Sequence, residues 1–447
     1  MMSAREPNAV AVRVIDLNQR LCAMTDVTAY KAVRAFVKLN DELIGYVTIG
    51  NHHQSIGATR LREAIVHALG PKLLASLLVE HLPLGEGEVG ELRRALTPDV
   101  PVSVVVATRD RPDDLRRCLA CLTAQVSPRE IEIVVVDNNP ASDTTPPVVA
   151  EFPGVVLVGE SRKGLSYARN TGIVSSRGEI VVFTDDDVAM PPDWLEKLVA
   201  PFAEEGVLAV TGNVLPLELD TTAQQLFEQY GGLGRGFDRR VADGGWFRQF
   251  RSAVPTWNLG ATANAAFRAA VFCDPRIGLL DEALGAGTPT GCSEDTYLFY
   301  KILKAEGTIV YEPAAYVWHR HRRNMASLRR QIYNYSKGHV AYQLTTLIRD
   351  GDTRSLVRLA YRLPRLYMGR IVGRVRGWID DYPWSLLFLE IAGNFVGPFA
   401  LWQSRRLVRR RGRSEPYVPV AERSAGAKRL PSPDAPEGVL ITPASGK

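Results

Sequence analysis

Three consecutive carboxylates, Asp185, Asp186 and Asp187, follow directly on the apolar run 180–184. Such acids repel one another unless a cation or hydrogen-bond donors sit among them. In extended backbone, residues two apart project to the same side, so Asp185 and Asp187 can share one ligand. Hard carboxylate oxygens suit Mg2+ or Mn2+, ions that keep few protein ligands and take the rest from water and phosphate. The plainer reading is an Asp-rich cap ahead of Pro191, Pro192 and Asp193. A second apolar run, 131–136, ends in Asp137, Asn138 and Asn139. An Asp there can accept hydrogen bonds from a base or ribose, although Asp-Asn also makes turns. A third run, 102–107, ends in Thr108 and Arg109, side chains suited to polar or phosphate groups.

More chemistry follows along the chain. Lys163 and Gly164 precede a helical stretch containing Arg169 and Asn170. A helix N-terminus beside cations favours an anion such as a diphosphate. The Gly-x-x-x-x-Gly-Lys-Ser/Thr phosphate loop is missing. A loop with three glycines, 285–293, leads into Glu294 and Asp295 at a helix start. A carboxylate so placed suits a general base, and equally a first-turn cap. His319 and His321 follow a short strand and Pro313. A His returning after an acidic site can complete a metal set; alone, either is an ordinary surface residue.

These runs need a frame that brings them to one edge. Over 98–325, β-rich runs at 102–107, 131–136, 155–159 and 180–184 alternate with helical patterns at 112–125 and 165–176. That alternation predicts a mostly parallel α/β sheet covered on both faces, with ligands outside the carboxyl ends of its strands. Before it, 1–97 reads as a small α+β module. Residues 33–39 and 43–49 form a hairpin about Asn40, and a helix carries Leu61, Ile65, Leu69 and Leu73. Nothing in it looks catalytic, and His52-His53 reads as solvated loop. Residues 326–413 are Arg-rich and helical. Residues 414–447 hold six prolines and read as a disordered tail.

Composition narrows the classes. The chain has 447 residues, 46% apolar and 23% charged, which excludes a wholly disordered or fibrous protein. Its net charge of +5 is too small to indicate nucleic acid. Five cysteines make no disulfide framework, so a reducing cytoplasm is expected. Cys118 and Cys121 lie in a helical stretch with no second pair for zinc. Residues 1–19 carry Arg5, Glu6, Arg13 and Asp16 and read as no signal peptide. No run of 18 uninterrupted apolar residues predicts a conventional spanning helix. Residues 386–402 are mostly apolar, bounded by Trp384 and Trp402, and an Arg cluster follows from Arg405 to Arg413. That suits an interfacial helix facing anionic lipid, peripheral on the inner face of a membrane. The alternative is a helix packed on the catalytic domain with a solvated basic end. A nucleic-acid role is disfavoured by poor aromatic interleaving.

Taken together, the motifs of about 101–325 resemble a family 2 glycosyltransferase with the GT-A, Rossmann-like fold. The resemblance rests on the opening 104–112, on Val-Val-Val-Asp137-Asn, and on Gly164-Leu-Ser-x-Ala-Arg169-Asn170-x-Gly172. It continues through Phe-Thr-Asp185-Asp-Asp187, Glu294-Asp295 and Trp318-His319. It implies an inverting, metal-dependent enzyme acting on a nucleotide sugar, with UDP as the expected nucleotide. Asp137 would recognise the base, with Thr108 and Arg109 in the same pocket. Arg169 would contact the nucleotide. Asp185 would face the ribose, Asp187 and His319 would bind Mn2+ or Mg2+, and Asp186 would assist. Asp295, with Glu294 beside it, would be the catalytic base. The acceptor is expected to be a glycan, a lipid-linked group or a small molecule. The Gln-x-x-Arg-Trp motif of processive members is absent, and Arg329–Tyr333 stands near its place, which implies one or a few transfers. Cys292-Ser293 replaces the glycines usual before Glu294, and Trp257–Ala261 is expected on the acceptor side. A nucleotidyltransferase and a degenerate glycan-binding subunit are the competing readings.

Overall fold

The structure is a computed structural model that describes residues 5–81, 96–378 and 382–423. In the N-terminal module, β1 (Val10–Asp16) runs parallel to β2 (Ala32–Leu39), which pairs antiparallel with β3 (Glu42–Gly50). The hairpin turns through Asn40 and Asp41, both left-handed (φ 50° and 64°), as a two-residue turn between right-twisted strands demands. Helix α1 (Ala58–His81) covers the sheet with Leu61, Ile65 and Leu69. The hairpin and helix match the expectation; β1 was not read from the sequence.

The catalytic region is built on a nine-stranded sheet in the order β10-β12-β9-β11-β7-β4-β5-β6, with β8 paired to β12. The strands are β4 (Val102–Thr108), β5 (Ile131–Asp137), β6 (Val156–Gly159), β7 (Ile180–Asp185), β8 (Val188–Ala189), β9 (Val207–Pro216), β10 (Arg240–Ala242), β11 (Asn264–Arg268) and β12 (Thr308–His319). Strands β7, β4, β5 and β6 are mutually parallel, as are β9 and β12. Strand β11 lies antiparallel between β7 and β9. Alternate residues serve opposite faces. Val105, Val134, Val136, Val181 and Phe183 enter one core, and Val104, Val106, Ile133, Val135 and Val182 the other. The first core is closed by α3 (Leu165–Ser175) and α6 (Glu294–Lys304), the second by α2 (Pro112–Thr123) and α4 (Trp194–Val199). Strands buried on both faces have no polar side to alternate, which is why they read as continuous valine runs. Helix α5 (Thr222–Gln229) follows β9 behind a capping box of Thr221 and Gln224.

Three long helices complete the molecule: α7 (Met325–Asp350), α8 (Leu363–Val375) and α9 (Trp384–Arg411). By length and composition α9 could cross a membrane, yet one side of it packs along α7. A Cβ on Gly393 would meet the Tyr333 carbonyl at 2.8 Å, and one on Gly397 would meet Val340 at 2.6 Å. Only glycines permit this approach. Its other side exposes Phe388, Phe395, Phe399 and Trp402. Residues 414–423, expected to open a disordered tail, instead follow the catalytic region. Ser414 N donates to Glu282 (2.9 Å), Tyr417 is buried near Phe272, and Arg423 donates to the Ser176 carbonyl (2.8 Å). One aromatic with a slot to fill outweighs the local proline content. The rest of that expected tail, 424–447, lies outside the described residues.

Buried Asp281 ties these helices to the catalytic region, receiving Arg405 of α9 at 2.7 Å and Arg349 of α7 at 3.1 Å. Burial pushes its carboxyl up, but the two guanidinium groups outweigh this and hold it below its ordinary value. Its stabilising contribution is therefore complete above the unfolded-chain value of about 4 and is lost as pH falls through the lower folded value. Asp281→Asn leaves two arginines without their counter-charge, and we expect it to cost about 3 kcal/mol or more. Hydrogen exchange should show the loss in α7 and α9; unchanged protection there would contradict this account.

Candidate active site

The carboxyl ends of β4, β5 and β7 converge, and the sequence-derived residues arrive with them. Thr108 ends β4, Asp137 ends β5 and Asp185 ends β7. Asp186 and Asp187 follow, both buried. Their charge is met from several directions. Arg111 reaches Asp186 at 2.7 Å and Asp187 at 2.9 Å. Thr108 Oγ1 donates to Asp186 at 2.8 Å, and His319 Nε2 lies 3.2 Å from Asp187 Oδ1. Burial raises the Asp186 carboxyl to about 7. Burial also acts on Asp187, but His319 and Arg111 override it and hold that carboxyl far below its ordinary value. Conversely, burial lowers His319, and Asp187 more than reverses this. Neighbouring acids thus divide: Asp187 stays ionised towards the site, while Asp186 turns to Thr108 and Arg111.

One ligand atom each from Asp185, Asp187 and His319 lies within 4.8 Å of the others. Two carboxylates and an imidazole are a donor set that fits a divalent ion such as Mn2+. Asp137 offers a second fit. Its Oδ1 accepts the Asn139 N–H at 2.8 Å, whereas its buried Oδ2 has no partner among the described residues. A buried acceptor without a donor is costly, and a ligand N–H or O–H removes the cost. Arg109 donates to the Asn138 carbonyl, so it braces this edge.

Arg169 and Glu294 line the same cavity as Asp185 and Asp295 and are bonded to each other. Arg169 is buried and fully engaged, bridging Asp185 and Glu294 at 2.9 Å each. Burial, and then Asp295, raises the Glu294 carboxyl to about 7. The pair joins the strand end to the first turn of α6 and leaves Asp295 as the carboxylate with capacity to spare. Asp295 Oδ1 accepts from Thr296 N (2.6 Å) and Oγ1 (3.2 Å). Asp295 lines a cavity of about 1400 Å3 together with Asp185, His319, Arg322 and Trp257. Ser293, just before α6, is left-handed (φ 79°), the conformation that glycine adopts freely.

Sequence reasoning missed four residues. Arg111 stood inside the motif after β4 but was not assigned to the acids. The others form a line behind His319: its Nδ1 is 3.0 Å from His321 Nδ1, His321 Nε2 is 2.9 Å from Glu228, and Glu228 is 2.7 Å from Arg34 of β2. The carboxylate requires N–H on His321 Nε2, so His321 Nδ1 accepts from His319 Nδ1–H. His319 Nε2 is then aimed at Asp187 and the metal position. The spacing of His319 and His321 was visible; Glu228 and Arg34 carried no local signal.

A Rossmann-like sheet with these acids at its carboxyl edge is the GT-A glycosyltransferase class. Residues 103–273 match the family model Glycosyl transferase family 2. Glycosyltransferase AglE of Haloferax volcanii is 33% identical over 126 residues, 27% of this chain and 41% of that protein. Pre-mycofactocin glycosyltransferase of Mycobacterium tuberculosis is 26% identical over 226 residues, 49% of this chain and 43% of that protein. The chain thus matches less than half the length of either relative. A solved mannosyltransferase, PcManGT from Pyrobaculum calidifontis in complex with GDP-Man and Mn2+, aligns with 78% of this chain and 86% of its own at 18% identity and a TM-score of 0.39.

Replacing Glu228 by Gln, or His321 by Ala, should weaken Mn2+ binding about 10- to 100-fold, the usual effect of removing a ligand's hydrogen-bond partner. Titration of Mn2+ followed by electron paramagnetic resonance reads this directly. Wild-type affinity in both variants would disprove the line of support.

Proposed function

We propose that the protein is a metal-dependent, inverting, non-processive glycosyltransferase that uses a UDP-linked sugar. The observation that carries this is Asp295 in the same cavity as Asp185 and His319. A base and a metal position then share one space, with room between them for donor and acceptor. Asp185, Asp187 and His319 would hold Mn2+ or Mg2+, and the imidazole favours Mn2+. When bound, such an ion neutralises the charge that develops on the departing diphosphate. Asp137 Oδ2 would accept the imide N–H of uracil, and Thr108 and Arg109 shape that edge. The acceptor hydroxyl passes its proton to Asp295 as its oxygen bonds to C1 of the sugar. The C1–O bond to the diphosphate breaks on the opposite face, and one displacement inverts the centre. Asp186, Arg169 and Glu294 act by holding these groups in place.

The donor set, the orphaned Asp137 oxygen and the family match support this reading. Asp295→Asn should lower transfer about 10²–10⁴-fold, the usual worth of a general base, and leave binding of UDP with Mn2+ intact. Release of nucleoside diphosphate from a panel of UDP-, dTDP- and GDP-sugars reads the activity. Undiminished transfer in the variant would remove Asp295 as base, and pyrophosphate as product would favour a nucleotidyltransferase.

The exposed side of α9 supports a second proposal, peripheral attachment to the inner face of a membrane. Phe395 is 82% exposed and Phe399 55%, and exposed Arg406, Arg409 and Arg410 follow on the same helix. Apolar anchors beside cations suit an anionic bilayer. Sedimentation with vesicles containing phosphatidylglycerol should carry the protein down, and Phe395→Ser with Phe399→Ser should release it. Equal sedimentation of wild type and variant would overturn the attachment.

A further inference from the structure

The cavity that Asp295 lines is also lined by Arg235, Trp257, Arg358 and residues of the C-terminal helices, and this stretch of lining is its C-terminal end. Two guanidinium groups there have no carboxylate within ion-pair distance among the described residues. Arg235 donates to the carbonyls of Trp257 (3.2 Å), Gly232 (3.3 Å) and Gly234 (2.9 Å). Arg358 donates to His339 Nε2 at 3.2 Å and lies 5.2 Å from the Trp257 ring centroid. Burial pulls both guanidinium groups below their ordinary value. Arg330 lines the same end. Glu390 is already satisfied there by Arg370 (2.7 Å), Tyr367 (3.0 Å) and Tyr382. Cations withdrawn from water without a counter-charge are costly, and an anionic ligand removes that cost. Gln331 adds a second signal. Its Nε2 donates to Tyr335, whereas its buried Oε1 has no partner among the described residues, an acceptor suited to a hydroxyl.

Apolar side chains of α8 join this lining. Leu363 and Leu366 line it, and Leu366 is 46% exposed at its rim. From there the outer side of α8 presents Met368, Val372 and Val375, and Trp378 follows. Arg362, Arg365 and Arg376 are exposed among them. An apolar slope set with arginines complements an anionic lipid surface.

We propose that the acceptor is an amphiphile bearing a phosphate: a hydroxyl group carried on a lipid phosphate or diphosphate. Its phosphate is held by Arg358 and Arg235, its hydroxyl faces Asp295, and its chain leaves over Leu363 and Leu366. This rests on the glycosyl-transfer reading and names the acceptor class for the same site.

The test uses calorimetry on the full chain with three probes: dodecyl phosphate below its micellar concentration, a neutral dodecyl ether, and methyl phosphate. Dodecyl phosphate should bind at least about tenfold more tightly than either of the others, the scale of one desolvated charge pair. Arg358→Gln should abolish that preference and Arg358→Lys should keep part of it. Binding of UDP with Mn2+ should remain unchanged in both, which also shows that they fold. Equal binding of ether and phosphate, or an unaltered preference in Arg358→Gln, overturns the proposal. Methyl phosphate binding as tightly as dodecyl phosphate overturns its lipid half. Failure of the wild type to bind any of UDP, dTDP and GDP with Mn2+ overturns the transferase reading instead, so the two failures are separable.

Discussion

Asp186 and Asp187 lie side by side at the end of one strand, almost out of water, and the fold holds only if their charge is met. Arg111 meets both, which fixes the loop after β4 against the loop after β7. Thr108 and His319 meet one acid each. Arg169 meets Asp185 and reaches on to Glu294, so the same balance that tolerates the acids also sets the first turn of α6. Asp295, the proposed general base, is therefore positioned by the requirement that these buried acids be electrically compensated. A guanidinium that bridges two elements in this way loses little entropy per bond, because its fork is planar and preorganised.

The same network explains why adjacent carboxylates behave oppositely. Asp187 has a histidine and an arginine on it and is held ionised, as its proposed role of metal ligand requires. Asp186 has a hydroxyl and a shared arginine, and burial raises it to about 7. Two side chains of one type, one residue apart, differ because Asp187 faces His319 while Asp186 accepts from Thr108.

The chemistry was legible wherever it was written in short runs. Asp185, Asp187 and Asp295 could be found because a strand end or helix start is local and its residue types are distinctive. The parallel core from β4 to β7 was legible because burial on both faces leaves continuous valine runs. Elements fixed by distant contacts were not. The short strand β1 is stabilised by β2, which lies beyond a loop, and β11 owes its antiparallel place to strands on either side. The beginning of the proline-rich segment looked unstructured because its composition is polar, yet Tyr417 finds a slot against Phe272. Glu294 was legible as a carboxylate at a helix start, whereas its bond to Arg169, 125 residues away in sequence, carried no local signal.

The N-terminal module illustrates the limit most clearly. No residue in it has a catalytic pattern, and on its own it is a small sheet under a helix. Arg34 nevertheless orients Glu228, Glu228 sets the tautomer of His321, and His321 sets that of His319. The module is also held by packing, because Phe36 and Leu43 share a cluster with Leu215 and Tyr316, and the Phe36 ring lies edge-on to Trp318, 5.1 Å away. Trp318 immediately precedes His319 on β12. A displacement of the module would act on the metal position twice, through the backbone of β12 and through the hydrogen bonds behind His319. Such coupling needs no two-state switch; it requires only that a ligand's lone pair be aimed by a chain of fixed donors. The module therefore belongs to the active centre through the geometry it imposes, although it contributes no reacting group.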